Sequence, residues 1–209
     1  MIRVLLADDH AIVRHGLKQI LDSDPVMNVV HEAANGNEVI DFVRDNPVDV
    51  VIMDITMPGK NGLEALKDLK RMRPSLPVLV LSMHPQEQYA VRVLRAGASG
   101  YITKESVPDE LVNAIKKAYT GGKYISGEVA ELLASHIEHD SVDEPHKQLS
   151  DREFEVFIMI GEGMSLTDIA GKLNISVKTV STYRTRIIEK TGLASNSNIT
   201  RYIVQHNLG

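Results

Sequence analysis

A doubly wound α/β domain with a five-stranded parallel sheet, followed by a small all-α domain, is the architecture this 209-residue sequence predicts. Three observations predict it. Over residues 1–122, short apolar runs alternate five times with stretches whose apolar residues recur at helical spacing, the mark of a parallel sheet with crossover helices. From residue 149 the short apolar runs stop and only helical spacing remains. The charge divides at the same place: residues 1–148 hold 16 Lys and Arg against 22 Asp and Glu, and residues 149–209 hold 7 against 6. An acidic front and a mildly basic back point to two domains with different partners, although so small an excess identifies no nucleic-acid binder by itself.

Residues 2–7 form the first apolar run, and Val13, Leu17, Ile20 and Leu21 place a helix over 11–21, stopped by Asp22-Ser23-Asp24-Pro25. A second strand covers 27–33, Asn35-Gly36-Asn37 makes a turn, and Val39, Ile40 and Val43 carry a helix over 38–46. The third strand, 48–53, is rich in Val and Ile and bounded by turn formers, as a strand buried on both faces should be. It ends abruptly at the carboxylate of Asp54. Helix 62–72, strand 78–81, helix 86–96, strand 100–103 and helix 108–120 complete the alternation, the last ended by Gly121-Gly122.

One more amphipathic helix covers 126–139, and the polar, Pro-containing stretch 140–148 reads as a linker. Beyond it, Ser150 and Glu153 match a capping box that opens a helix with Val156, Phe157 and Ile160 inward, broken at Gly161-Glu162-Gly163. Ser165 caps a helix over 166–173, Asn174-Ile175 turns tightly, and Ser176 caps a longer basic helix over 177–190. A last helix covers 199–206. Two helices joined by so short a turn, the second long and basic, form a helix-turn-helix. The expected division is residues 1–124, a linking helix and linker over 125–148, and 149–209.

Composition excludes several classes. The 43% hydrophobic and 24% charged content is ordinary for a globular protein, and with no cysteine there is no disulfide, thiolate metal site or cysteine nucleophile. No apolar stretch approaches the roughly 18 residues of a membrane span, and the N-terminal apolar run is too short for a signal peptide. A cytoplasmic location with no membrane partner is expected.

Chemistry gathers at the carboxyl ends of the predicted strands, where open α/β sheets bind ligands. Strand one delivers Asp8 and Asp9, strand three Asp54, strand four Ser82 and strand five Lys104. Taken singly each has a plain reading: a helix-capping pair, a loop carboxylate, a loop hydroxyl, a solvated cation. Together they are a site. Three close carboxylates repel one another until a hard cation such as Mg²⁺ takes their oxygens as ligands, and Lys104 and Ser82 suit a phosphoryl group. Phosphoryl transfer to Asp54 as nucleophile fits this set.

The stretches Leu6-Ala7-Asp8-Asp9-His10, Met53-Asp54-Ile55-Thr56-Met57-Pro58, Leu81-Ser82-Met83 and Gly100-Tyr101-Ile102-Thr103-Lys104 resemble the receiver domain of two-component response regulators. The resemblance covers about residues 1–122 and implies a flavodoxin-like sheet of order 2-1-3-4-5. It implies that Asp54 is the phospho-acceptor, that Asp8, Asp9, Asp54 and the Thr56 main-chain carbonyl hold Mg²⁺, and that Lys104 binds the phosphoryl group. Ser82 becomes the switch hydroxyl and Tyr101 the aromatic switch, with plain sheet packing as the other reading of Tyr101.

Helix 177–190 carries Lys178, Arg184, Arg186 and Lys190 against Glu189, with hydroxyl residues interleaved. Lys and Arg hold phosphates and short hydroxyl side chains reach base edges; a solvated charged face is the plain alternative. Leu149-Ser150-Asp151-Arg152-Glu153, Asp168-Ile169-Ala170 and Val177-Lys178-Thr179-Val180 resemble the LuxR-type helix-turn-helix of the NarL/FixJ response regulators. That resemblance implies that Ser181, Thr182 and Thr185 face bases and that Lys178, Thr179, Arg184 and Arg186 face phosphates. Family members are more often Lys- or His-rich where Ser181, Thr182 and Tyr183 stand.

The implied protein is a transcription factor phosphorylated by a sensor histidine kinase, binding double-stranded promoter DNA as a homodimer, with RNA polymerase as a further partner. Two rivals stand beside it. An Asp nucleophile with Mg²⁺ also describes haloacid-dehalogenase-like phosphohydrolases, but these need a second Asp where Thr56 stands. The C-terminal helices also suit a protein-docking module.

Overall fold

The computed structural model describes residues 1–83, 86–138, 144–206 and 208. The chain divides into two compact units, Met1–Ala130 and Glu131–Gly209, and each is described by itself.

In the first unit, strands β1 (Ile2–Ala7), β2 (Met27–Ala33), β3 (Val50–Asp54), β4 (Val78–Ser82) and β5 (Gly100–Thr103) alternate with helices α1 (Ala11–Asp22), α2 (Gly36–Asp45), α3 (Gly62–Met72), α4 (Gln86–Arg95) and α5 (Val107–Tyr119). All neighbouring strands are parallel, in the order β2-β1-β3-β4-β5. The order reverses between β1 and β3, which opens a crevice at their carboxyl ends. Every residue of β3 and β4 is buried, because helices cover both faces of the sheet. One layer of the core joins Val4, Leu6, Ile52, Leu81 and Ile102 to Leu17 and Leu21 of α1 and Leu111 and Ile115 of α5.

Strands β3 and β4 each run further than their apolar runs. Asp54 and Ser82, expected just beyond the strands, are their last residues, since the ladder pairs Asp54 with Leu81 and Ser82 with Thr103. Helix α2 starts two residues before the expected start: Asn35, expected in a turn, caps it by accepting from the amides of Asn37 and Glu38. Asp8 caps nothing. The N-cap of α1 is His10, which makes no side-chain cap bond, while Asp8 Oδ1 accepts from the His10 amide at 2.8 Å.

Helix α6 (Gly127–Glu138) begins in the first unit. Its expected last residue, His139, and the stretch 140–143 expected in the linker lie outside the described residues. Pro145–Gln148 of that expected linker form a 3-10 turn whose His146 is buried against Tyr202, with Nδ1 2.9 Å from the phenol oxygen.

In the second unit, α7 (Asp151–Gly161), α8 (Leu166–Leu173), α9 (Val177–Thr191) and α10 (Asn196–Gln205) follow in order. Ser150, Ser165, Ser176 and Ser195 each accept an amide hydrogen bond three residues on, so the four helices share one capping device. Asn174 adopts the left-handed conformation (φ 52) that makes the turn between α8 and α9, a conformation Asn tolerates better than most residues. Helix α7 is central, not amphipathic: Arg152, Glu153 and Glu155 are buried along with its apolar residues. Burial of such charges requires pairing, and Arg152 Nη1 donates to Glu155 Oε2 at 2.6 Å. Phe154, Phe157, Ile169, Leu173, Val180, Ile187, Ile199 and Ile203 complete this core.

Candidate functional site

At the crevice between β1 and β3, one ligand atom from each of Asp8, Asp9, His10 and Asp54 lies within 4.8 Å of all the others. Asp8 is fully buried and Asp54 nearly so, while Asp9 is partly open and His10 exposed. Lys104, at the end of β5, reaches across: its Nζ donates to Asp54 Oδ2 at 2.7 Å and stands 2.6 Å from Asp8 Oδ2. Main-chain geometry fixes that reach, since the Lys104 amide donates to the Ser82 carbonyl at 2.8 Å.

Two buried carboxylates beside one ammonium leave negative charge uncompensated. Burial pushes the Asp54 carboxyl up to about 6, with the Asp8 charge adding to the rise and Lys104 opposing it. For Lys104, burial alone would favour loss of its proton, but Asp54 and Asp8 outweigh that and raise its pKa. Asp8 Oδ2 and Asp9 Oδ1 are buried without an aligned hydrogen bond among the described residues, although Lys104 and His10 stand close by. Oxygen atoms so placed fit a hard divalent cation, and this acidic cluster could hold one.

Of the other expected residues, the Thr56 amide donates to Asp54 Oδ1 at 3.3 Å, and Ser82 is fully buried at the same rim. Tyr101 is 1% exposed in β5, so its ring lies inside. Three further residues, not among the expected ones, contribute to the site. Arg14 Nη1 donates to the Asp8 carbonyl at 2.5 Å, and His10 Nδ1 lies 2.8 Å from Asp9 Oδ1. Gly62 opens α3 directly against the end of β3: a Cβ there would come within 2.0 Å of the Asp54 carbonyl oxygen. The Asp-Asp-His sequence at the end of β1 was a usable hint for His10; nothing local marks Arg14.

In the second unit, α9 presents Lys178, Ser181, Thr182, Thr185 and Arg186 exposed. Ser176, Lys178, Thr179, Thr182, Tyr183 and Arg186 line an open groove of about 320 Å³ at its start. Arg184 is not among them. Its Nε donates to Asn196 Oδ1 at the start of α10, 2.8 Å away. Thr182 and Thr185 spend their hydroxyl protons on the Lys178 and Ser181 carbonyls, so each turns an acceptor oxygen and a methyl outward. Behind the helix, Lys190 Nζ donates to Glu153 Oε2 at 2.6 Å, which ties α9 to the capping box of α7.

Comparison with known families gives matches for both units: the response regulator receiver domain over residues 4–116, and the luxR family of bacterial regulatory proteins over 147–203. The chain is 38% identical over its full length to the response regulator UvrY of Escherichia coli, covering 96% of that protein. The chain belongs to the response regulators. This regulator is also 37% identical to the response regulator GacA of Pseudomonas aeruginosa, over 100% of its own length and 98% of GacA. Among solved structures, RcsB from Salmonella enterica serovar Typhimurium, bound to promoter rprA in the presence of the phosphomimetic BeF3-, matches with a TM-score of 0.66 and 30% identity. That match covers 97% of the regulator and 98% of RcsB. A receiver domain thus precedes a LuxR-type DNA-binding domain, the expected fold class, and both rivals fall away, because response regulators of this type are transcription factors and not turnover enzymes. Among the described residues, no helix is long and apolar enough to cross a membrane.

Proposed function

We propose that the regulator accepts a phosphoryl group on Asp54 from a sensor histidine kinase and thereby controls sequence-specific binding to promoter DNA. The observation that carries this is the convergence of Asp8, Asp9 and Asp54 within 4.8 Å, with Lys104 bridging two of them. An Asp54 oxygen attacks phosphorus as the P–N bond to the donor histidine breaks, and the imidazole leaves with a proton from solvent. Lys104, already poised over Asp54, then holds the phosphoryl oxygens. Asp8, Asp9, Asp54 and the Thr56 carbonyl would hold Mg²⁺, which supplies charge neutralisation on the transferring oxygens.

Phosphorylation adds about two negative charges at the rim. Ser82 turns toward them and Tyr101, buried here, changes place as the surface between α4 and β5 repacks. In the DNA-binding domain, Ser181, Thr182 and Thr185 face bases, and Lys178, Thr179, Arg184 and Arg186 face phosphates. With their protons already used, Thr182 and Thr185 suit base amino donors or a thymine methyl. Relatives support a dimeric reading: one structure is of two RcsB dimers bound to two parallel DNAs. The receiver is assigned to residues 1–124, the connection to 125–148 and the DNA-binding domain to 149–209, in a cytoplasmic homodimer that engages promoter DNA and RNA polymerase.

A gel shift on promoter fragments, with and without a small phosphodonor and Mg²⁺, tests the coupling. Tighter binding on phosphorylation of the native protein, absent in Asp54→Asn, is expected. Equal enhancement in both proteins contradicts the coupling.

A further inference from the structure

Helix α9 has two charged rims, and they are built differently. At 3.6 residues per turn, Arg184 and Arg186 project about 160° apart, and Lys178 lies on the Arg186 side. The Arg186 side is the open groove with Ser176, Thr179 and Tyr183. On the other rim Arg184 stands alone among the basic residues, and it is tethered across to the next helix: its Nε–H donates to Asn196 Oδ1 at 2.8 Å. Asn196 is exposed at the first position of α10, whose Ser195 cap fixes the backbone there. Among the described residues, the terminal Nη nitrogens of Arg184 have no carboxylate or carbonyl acceptor.

We propose that Asn196 is a positioning residue for DNA binding, holding the Arg184 guanidinium so that its Nη edge meets the phosphates of one strand while the Lys178–Arg186 rim meets the other. This rests on α9 being the DNA-contacting helix, as proposed above. A helix lying in a major groove has a backbone on each side, so one cationic rim per strand sets its depth and rotation. Residue type matters at 196. A neutral amide orients the guanidinium without cancelling its charge, whereas a carboxylate would orient it and neutralise it. Fixing a flexible arginine before binding removes an ordering cost otherwise met in the complex. Glu189 is exposed on the Lys178–Arg186 side, about 60° around the helix and about 4.5 Å along it from Arg186, so it offsets charge on that rim and not on the Arg184 rim.

The test is a double-mutant cycle on the full-length protein, treated with phosphodonor and Mg²⁺, against a duplex promoter fragment at several salt concentrations. Asn196→Ala is expected to weaken binding by about three- to ten-fold. In an Arg184→Ala background the same change should have little further effect. Asn196→Asp should weaken binding and lower the salt dependence by about one counterion, as Arg184→Ala does, because it keeps the contact and cancels the charge. Thermal unfolding of each variant separates these effects from loss of fold. Equal losses from Asn196→Ala in both backgrounds overturn the role of Asn196 and leave the DNA reading intact. No binding by the native protein overturns both.

Discussion

Lys104 Nζ lies 2.7 Å from Asp54 Oδ2, joining the ends of β5 and β3 across β4. The pair is buried, with the lysine side chain 9% exposed. Removing one partner of such a pair leaves a charge with neither water nor counterion, at a cost of about 3–5 kcal/mol. Lys104→Ala should therefore destabilise the metal-free protein by roughly 3 kcal/mol. Millimolar Mg²⁺ should restore part of it, because a cation can take the place of the ammonium. Urea denaturation with and without Mg²⁺ measures both; an identical loss in the two conditions would place the cation elsewhere.

The raised Asp54 carboxyl has a defined pH signature. Its folded pKa of about 6 exceeds the ordinary 3.8, so the folded protein binds more protons across that interval. Stability from this group accordingly falls as pH rises from about 4 to 6 and is flat above. Asp54→Asn removes the buried charge and should stabilise the metal-free protein at pH 7 by about 1–3 kcal/mol. Chemical denaturation at pH 7 gives the answer, and a destabilised variant would mean that Lys104 depends on Asp54 more than Asp54 suffers from burial.

Mg²⁺ held by Asp54, as proposed, would compete with a proton for the same oxygens. Mg²⁺ affinity should be constant above neutral pH and fall by about ten-fold per unit below pH 6, as one proton must be displaced. Calorimetric titrations between pH 5 and 8 test this, and an affinity independent of pH would exclude Asp54 as a ligand.

Gly62 is a packing constraint on Asp54. A Cβ at this position would overlap the Asp54 carbonyl oxygen, which is backbone and cannot move aside. Gly62→Ala should cost about 3 kcal/mol and reduce phosphorylation. A variant of native stability and full phosphorylation would show that α3 can retreat without moving Asp54.

Glu153 serves two helices at once, accepting from the Ser150 amide at 2.8 Å and from Lys190 at 2.6 Å. Those contacts and its capping box hold its carboxyl below the usual range against the effect of burial. Glu153→Ala should destabilise the DNA-binding domain by about 2 kcal/mol and leave phosphorylation of the receiver unchanged. Loss of both functions together would mean that the two units do not fold independently.

Much of this was legible in the sequence because the signals are local. Apolar runs marked all five strands, and Ser150, Ser165 and Ser176 announced three helix starts. The acid cluster was legible for a different reason: parallel strands bring their carboxyl ends together, so Asp8, Asp54 and Lys104 could be placed side by side without coordinates. Less visible were contacts that depend on reach. Arg14 returns from α1 to the Asp8 carbonyl, and Arg184 reaches from α9 to Asn196 of α10. Helix α7 was expected to show one apolar face, yet its charges are buried by pairing, which periodicity does not report. Ser195 also escaped notice, since Asn196, Ser197 and Asn198 give the start of α10 no apolar period to anchor it.

The central claim is that Asp54 carries the phosphoryl group. Incubation with a small phosphodonor and Mg²⁺, followed by reduction of the acyl phosphate and peptide mass mapping, locates it directly. One phosphoryl group per chain, on the peptide containing Asp54 and absent from Asp54→Asn, is the expected result. Full labelling of Asp54→Asn, or a modified residue at any other position in the native protein, contradicts it.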